Sequence, residues 1–133
     1  MKASISAIST AVAVLALLIA CSSAPKQIPE GLSSQELVQR AQEASDVYKY
    51  EVAKAYYQAL LERFASDPGA VAQGEYEIAF IAYKQERFQE AKDGLNRLLA
   101  RYSGPEGKSF PPAYQVLAQK VLDRIAELQK GNP

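Results

Sequence analysis

The sequence has no histidine and no tryptophan, one methionine, and a single cysteine, Cys21. One cysteine excludes a disulfide within the chain. Without histidine, the usual nucleophile-and-base pairs and most transition-metal sites are removed. Surplus charge is missing too. Lys and Arg number 15 against 15 Asp and Glu, so there is no general electrostatic pull on nucleic acid, whose binding depends on phosphate neutralisation. Carboxylates remain: Glu75 with Glu77, and Glu86 with Glu90, are the pairs available for acid and base work. At neighbouring or turn-separated helical positions they read instead as a solvated face. No cofactor or metal is expected, and an enzyme is the least supported functional class.

A membrane-spanning apolar run is also lacking. After Met1-Lys2 the chain is apolar from Ala3 to Ala20 apart from serines and Thr10, but its cleanly apolar part, Ala11 to Ala20, is shorter than the roughly 20 residues a span needs. A positive start with a short apolar core is the pattern of a secretory signal. The run closes on Leu18-Ile19-Ala20-Cys21, which resembles the bacterial lipobox. That resemblance implies a signal peptide over 1–20 and an acylated Cys21 as the first residue of the mature chain. Residues 21–133 then form one small domain in which 14 basic residues face 15 acidic ones. Attachment rests on lipid: with about 0.8 kcal/mol per buried CH₂, two or three acyl chains make it effectively permanent. Ser22 to Gly31, with two prolines and little to bury, reads as a flexible tether within the segment 21–32, reaching roughly 35 Å at full extension. Ser22 lacks the aspartate of an inner-membrane retention signal. By that family rule the protein faces the periplasm from the outer membrane.

The helical domain is expected over 33–130, organised around Glu75 to Tyr102. Ile78, Ala79 and Ala82, then Phe88, Ala91, Leu95, Leu98, Leu99 and Tyr102, recur at helical spacing on either side of Lys84-Gln85-Glu86-Arg87. This is the pattern of two amphipathic helices joined by a tight antiparallel return. Upstream, Tyr50, Ala53, Tyr57, Leu60, Leu61 and Phe64 repeat the second helix 38 positions earlier, as Ala53 stands to Ala91. The same register pairs residues off the apolar face, Gln35 with Gln73, Lys54 with Lys92 and Arg63 with Arg101, so an internal repeat is the better account.

The order small residue, aromatic, small residue, leucine pair and closing aromatic resembles the tetratricopeptide repeat over roughly Gln35 to Tyr102. It implies an all-α fold of antiparallel helix-turn-helix repeats: an α-solenoid of two repeats plus a C-terminal capping helix. Ala79 matches the small residue where two helices cross, and Phe88 with Ala91 the pair that opens the second helix. The period departs from the usual 34, and the customary proline is absent. Longer spacing of this kind, with Arg63-Phe64 and Arg101-Tyr102 closing the second helix of each repeat, is similar to the repeats of bacterial envelope lipoproteins, including those of outer-membrane-protein assembly.

Local signals place the remaining elements. Ser33 and Glu36 stand at capping-box spacing ahead of Leu37, Ala41 and Ala44, and Asp67-Pro68 starts the third helix. Ser103 to Pro112 reads as a flexible connection. Its Gly107-Lys108-Ser109 lacks the strand context and first glycine of a phosphate-binding loop. A last helix near 113–130 carries Tyr114, Leu117, Ala118, Val121, Leu122, Ile125 and Leu128 on one broad face.

In tetratricopeptide-like arrays the first helix of each repeat lines the concave surface, which points to Gln73, Tyr76, Phe80, Tyr83, Lys84 and Arg87 as a partner-binding groove. Tyr76 is expected to be the most exposed ring, with burial of Phe80 and Tyr83 under the last helix as the competing reading. Val38, Gln42, Ser45 and Lys49 form a more polar half. The lysine and asparagine pattern that clamps a C-terminal carboxylate is missing. Two functions follow: a lipid-anchored scaffold gripping another envelope protein, or a structural lipoprotein that pairs with its own copies because two and a half repeats leave apolar edges uncovered.

Overall fold

The computed structural model describes residues 27–131. The signal segment 1–20, Cys21 and the first part of the tether lie outside the described residues. Among the described residues five α-helices follow one another: α1 (Ser34–Asp46), α2 (Tyr50–Arg63), α3 (Pro68–Lys84), α4 (Phe88–Tyr102) and α5 (Pro112–Lys130), with one 3₁₀ turn at Gly107–Ser109. The fold is all-α, with no strand among the described residues.

Side chains set the helix starts. Ser33 Oγ accepts from the Glu36 amide at 3.2 Å while the Glu36 carboxylate accepts from the Ser33 amide at 2.8 Å, a reciprocal capping box that lowers the Glu36 pKa. Asp67 accepts from the amides of Gly69 and Ala70 at 2.8 and 3.3 Å, with Pro68 in the first turn. The two hairpin turns share one conformation 38 residues apart. Tyr48 and Glu86 are both left-handed at φ 59°, and Lys49 and Arg87 donate back to Ala44 and Ala82 at 2.9 Å each. These bonds, with those of Tyr48 to Ser45 and Glu86 to Tyr83, make each turn a Schellman motif with a non-glycine residue in the position that glycine usually takes.

Helices α1 and α2 pack as one antiparallel hairpin and α3 and α4 as another; α2 lies against α3, and α5 covers both α3 and α4. Leu37, Ala41, Ala53, Tyr57, Leu60 and Ile81 anchor one apolar cluster; Ala79, Ala91, Leu95, Leu98, Ala118 and Ile125 anchor the other. Close approach between helices depends on two glycines. A Cβ at Gly94 would lie 2.8 Å from the Ala79 Cβ, and one at Gly74 would lie 2.7 Å from Leu61. The α3–α4 crossing therefore falls at Ala79, opposite a glycine.

Several expectations are corrected. Ile78 is only half-buried while Ile81, off the expected stripe, is 1% exposed, because α3 must serve α2 on one side as well as α4 on the other. Ala70, which lies outside the stripe of Ile78, Ala79 and Ala82 read from the sequence, is buried for the same reason, with its first-turn methyl in the α1/α2 cluster. On α5 the buried face narrows to Ala118, Val121 and Ile125, and Leu117 and Leu128 are exposed. The connection after α4 is not loose. Phe110 is buried, Tyr102 Oη donates to the Pro111 carbonyl at 2.6 Å, and the Arg101 guanidinium grips Glu106 at 2.8 Å while lying over the Phe110 ring. The end of the expected tether is docked as well: Ile28 and Leu32 pack on the first cluster, and Arg63 donates to the carbonyls of Pro29 and Ile28 at 2.7 and 3.0 Å.

Candidate partner-binding face

Helices α1 and α3 run side by side and in the same direction. Near their N-termini they bound a cleft of about 340 Å³ lined by Gln35, Gln39, Gln42 and Gln73 over a floor of Val38, Leu60 and Ala70. Near their C-termini the Lys84 ammonium donates to Ser45 Oγ at 3.1 Å. Gln73, Glu77, Phe80 and Lys84 connect the two ends, spaced four, three and four along α3, so they share one face.

The six residues expected to form the groove divide. Gln73, Phe80 and Lys84 stand on this shared face. Tyr76, expected to be the most exposed ring, is 6% exposed. It is stacked on Phe80 (5.6 Å, 14° between planes) and covered by Tyr114 of α5 at 5.6 Å. Burial, and secondarily the charge of Glu77, pushes its phenol pKa up to about 12. Phe80 and Tyr83 continue the stack at 5.6 Å, both half-buried against the second cluster, and Phe88 ends it. The Lys84 ammonium lies 5.1 Å from the Phe80 ring centre, a cation–π distance. Arg87 belongs to the hairpin turn, where it pairs with Glu90 at 2.7 Å and bonds to Gln85.

Glu77, read from the sequence as part of a solvated face with Glu75, was not placed in the groove because it lies off both stripes of α3. The available signal was its position between Gln73 and Phe80, seven residues before Lys84. The carboxyl is half-buried and makes no side-chain hydrogen bond or ion pair among the described residues. Burial raises its pKa and Lys84 opposes the rise. Phenols from three helices, Tyr57 of α2, Tyr76 of α3 and Tyr114 of α5, have raised pKa values, first through burial and next through this carboxylate.

Glu75 and Glu77 do not face one another. Glu75 lies on the α4 side of α3 and pairs with Arg101, its second oxygen buried without a partner. There it borders a separate cleft of about 540 Å³ floored by Leu61, Ile78, Ala79 and Gly94 and edged by Arg97. Glu86 sits exposed in the turn, and Glu90 is held by Arg87. Neither carboxylate pair is assembled for acid and base work. Gly107–Ser109 is a 3₁₀ turn, and a Cβ at Gly107 would fall 2.0 Å from the Tyr102 carbonyl oxygen. Backbone packing thus requires this glycine. Among the described residues no acidic, cysteine or histidine group has the makings of a metal site, and no helix is long and apolar enough to cross a membrane.

A Treponema pallidum (strain Nichols) protein, described only as uncharacterized, is 36% identical to this chain over 110 residues. The match takes in 81% of this chain and 44% of the relative, so the chain spans less than half of that protein's length. No family model matches the sequence, and no solved structure matches it.

Proposed function

We propose that this protein is a lipid-anchored scaffold of the bacterial cell envelope whose two tetratricopeptide-like repeats and capping helix hold a segment of another envelope protein. The segment lies on the concave face formed by α1, α3 and α5. The matched Schellman turns at Tyr48 and Glu86 support the repeat reading, and the lipobox-like Leu18 to Cys21 supports the anchor and, with Ser22, outer-membrane placement. One observation carries the binding role. On α3 the polar groups of Gln73, Glu77 and Lys84 flank a half-buried ring, Phe80, beside an open cleft. Lys84 ties α3 to Ser45 of α1, but Glu77 makes no side-chain bond among the described residues that packing alone would call for. Outer-membrane-protein assembly, cell-wall machinery and appendage biogenesis are the settings open to such a scaffold.

Photo-crosslinkers placed in cells at Gln42 and at Gln73 test this reading. Both should trap the same discrete adduct, whereas a crosslinker at Arg97, in the opposite cleft, should not. Equal adducts from all three positions, or none from the first two, would refute it. A second reading, self-association, is favoured by the exposed Val116, Leu117 and Leu128 of α5. It requires a mass that rises with concentration across a dilution series, and a monomer at micromolar concentration counts against it.

A further inference from the structure

We infer that the segment held on this face is a short, extended, basic peptide, and that Glu77 is the anchor for one of its lysine or arginine side chains. The inference rests on the groove reading above and adds the chemistry of the occupant. An ionised carboxylate withdrawn from water without a donor is costly and is relieved by a cation that hydrogen-bonds to it. Glu77 bears part of that cost: it is half-buried and makes no side-chain hydrogen bond or ion pair among the described residues. The cation facing it, Lys84, is turned aside, donating to Ser45 Oγ and lying over Phe80. The other groups that feel Glu77, Tyr57 from α2, Tyr76 from α3 and Tyr114 from α5, are uncharged phenols. A guanidinium or ammonium arriving at Glu77 would meet a carboxylate beside aromatic faces, which is a favourable setting for a cation.

The rest of the face fits a peptide backbone. Four glutamines, Gln35, Gln39, Gln42 and Gln73, line the adjoining cleft, and each carboxamide offers both donors and an acceptor without adding charge. From Gln73 to Lys84 is eleven residues of α3, about 16 Å of helix rise. An extended chain covers that distance with about five residues at 3.3 Å each. An acidic segment is disfavoured because it would set like charge against Glu77, while Lys84 on the same face is already engaged by Ser45 and Phe80.

The test is selection of a random heptapeptide library on the full-length chain in mild detergent. Recovered peptides should share a lysine or arginine at one position, and replacing that residue with norleucine should weaken binding by about tenfold. The Glu77→Gln variant, which is nearly isosteric, should bind the basic and norleucine peptides equally. Gln42→Ala combined with Gln73→Ala, both at accessible positions, should weaken every recovered peptide. If that double variant weakens binding but the peptides show no basic preference, or the preference survives Glu77→Gln, the basic-anchor inference is overturned and the groove reading stands. If nothing is enriched, or the peptides are indifferent to the double variant, the groove reading falls and this inference with it.

Discussion

The contact between Gly94 and Ala79 allows the packing of the second hairpin to be tested by a double-mutant cycle. A methyl added at Gly94 would sit 2.8 Å from the Ala79 Cβ, and neither atom can rotate away because both are fixed to helix backbone. Overpacking of this kind costs about 1–3 kcal/mol. Replacing a mid-helix glycine by alanine returns about 1 kcal/mol of conformational entropy. Gly94→Ala alone should therefore destabilise by roughly 0–2 kcal/mol. Ala79→Gly alone loses about 1 kcal/mol of helix propensity and about 0.8 kcal/mol of buried methyl, close to 2 kcal/mol in all. In the double variant the new methyl occupies the space left by the old one and the two propensity changes cancel, so stability should return to near wild type. The coupling is then about 2–4 kcal/mol, read from urea denaturation of the four proteins at matched m-values. Additivity within about 0.5 kcal/mol would show that the two helices do not meet at these residues.

Leu98, fully buried in the second cluster, should cost about 2–5 kcal/mol as Leu98→Ala. The exposed Gln39→Ala should stay within about 0.5 kcal/mol. Glu77 gives a pH signature. Its folded-state pKa is raised above 4.5, so its favourable contribution is complete below that value and is lost as pH climbs through the raised one. Thermal melts should show Glu77→Gln matching the wild type near pH 4 and melting higher than it at pH 7; a constant difference between the two would contradict the burial assigned to this carboxylate. At the N-terminus, metabolic labelling with a fatty acid should mark the wild type and leave Cys21→Ser unlabelled as a longer precursor. Label on Cys21→Ser, or none on the wild type, would refute the anchor.

Much of the all-helical fold was legible because its determinants are local. Ser33 with Glu36, and Asp67 with Pro68, sit where helix ends require them, and the alanine and leucine spacings gave the helices to within a few residues. What could not be read was which side of a helix a later element would cover. Tyr76 and Phe80 have the same spacing whether or not Tyr114 closes over them, and only the placement of α5 across α3 decides it. Ile81 and Ala70 were missed because α3 has two packed sides, and a single-stripe reading keeps one. Phe110, Ile28 and Leu32 lie in proline-containing stretches without periodicity, so their burial has no local signal. Glu77 escaped for a different reason. A charged residue between apolar positions looks like solvent-facing sequence until the neighbouring helices are in place.

The clasp between Arg63 and the segment ahead of α1 has a mechanical consequence. Any tension applied to the chain from its N-terminal side arrives first at Ile28 and Pro29, whose carbonyls are both held by one guanidinium at the end of α2. Two hydrogen bonds from a single rigid planar group must then yield together, and the Ile28 side chain must leave its apolar seat before load can pass into α1. The pull is delivered to the finished hairpin through its last turn, and α1 stays unloaded until the clasp opens. A load entering from that side would therefore be borne at Arg63 before it reached the cleft between α1 and α3.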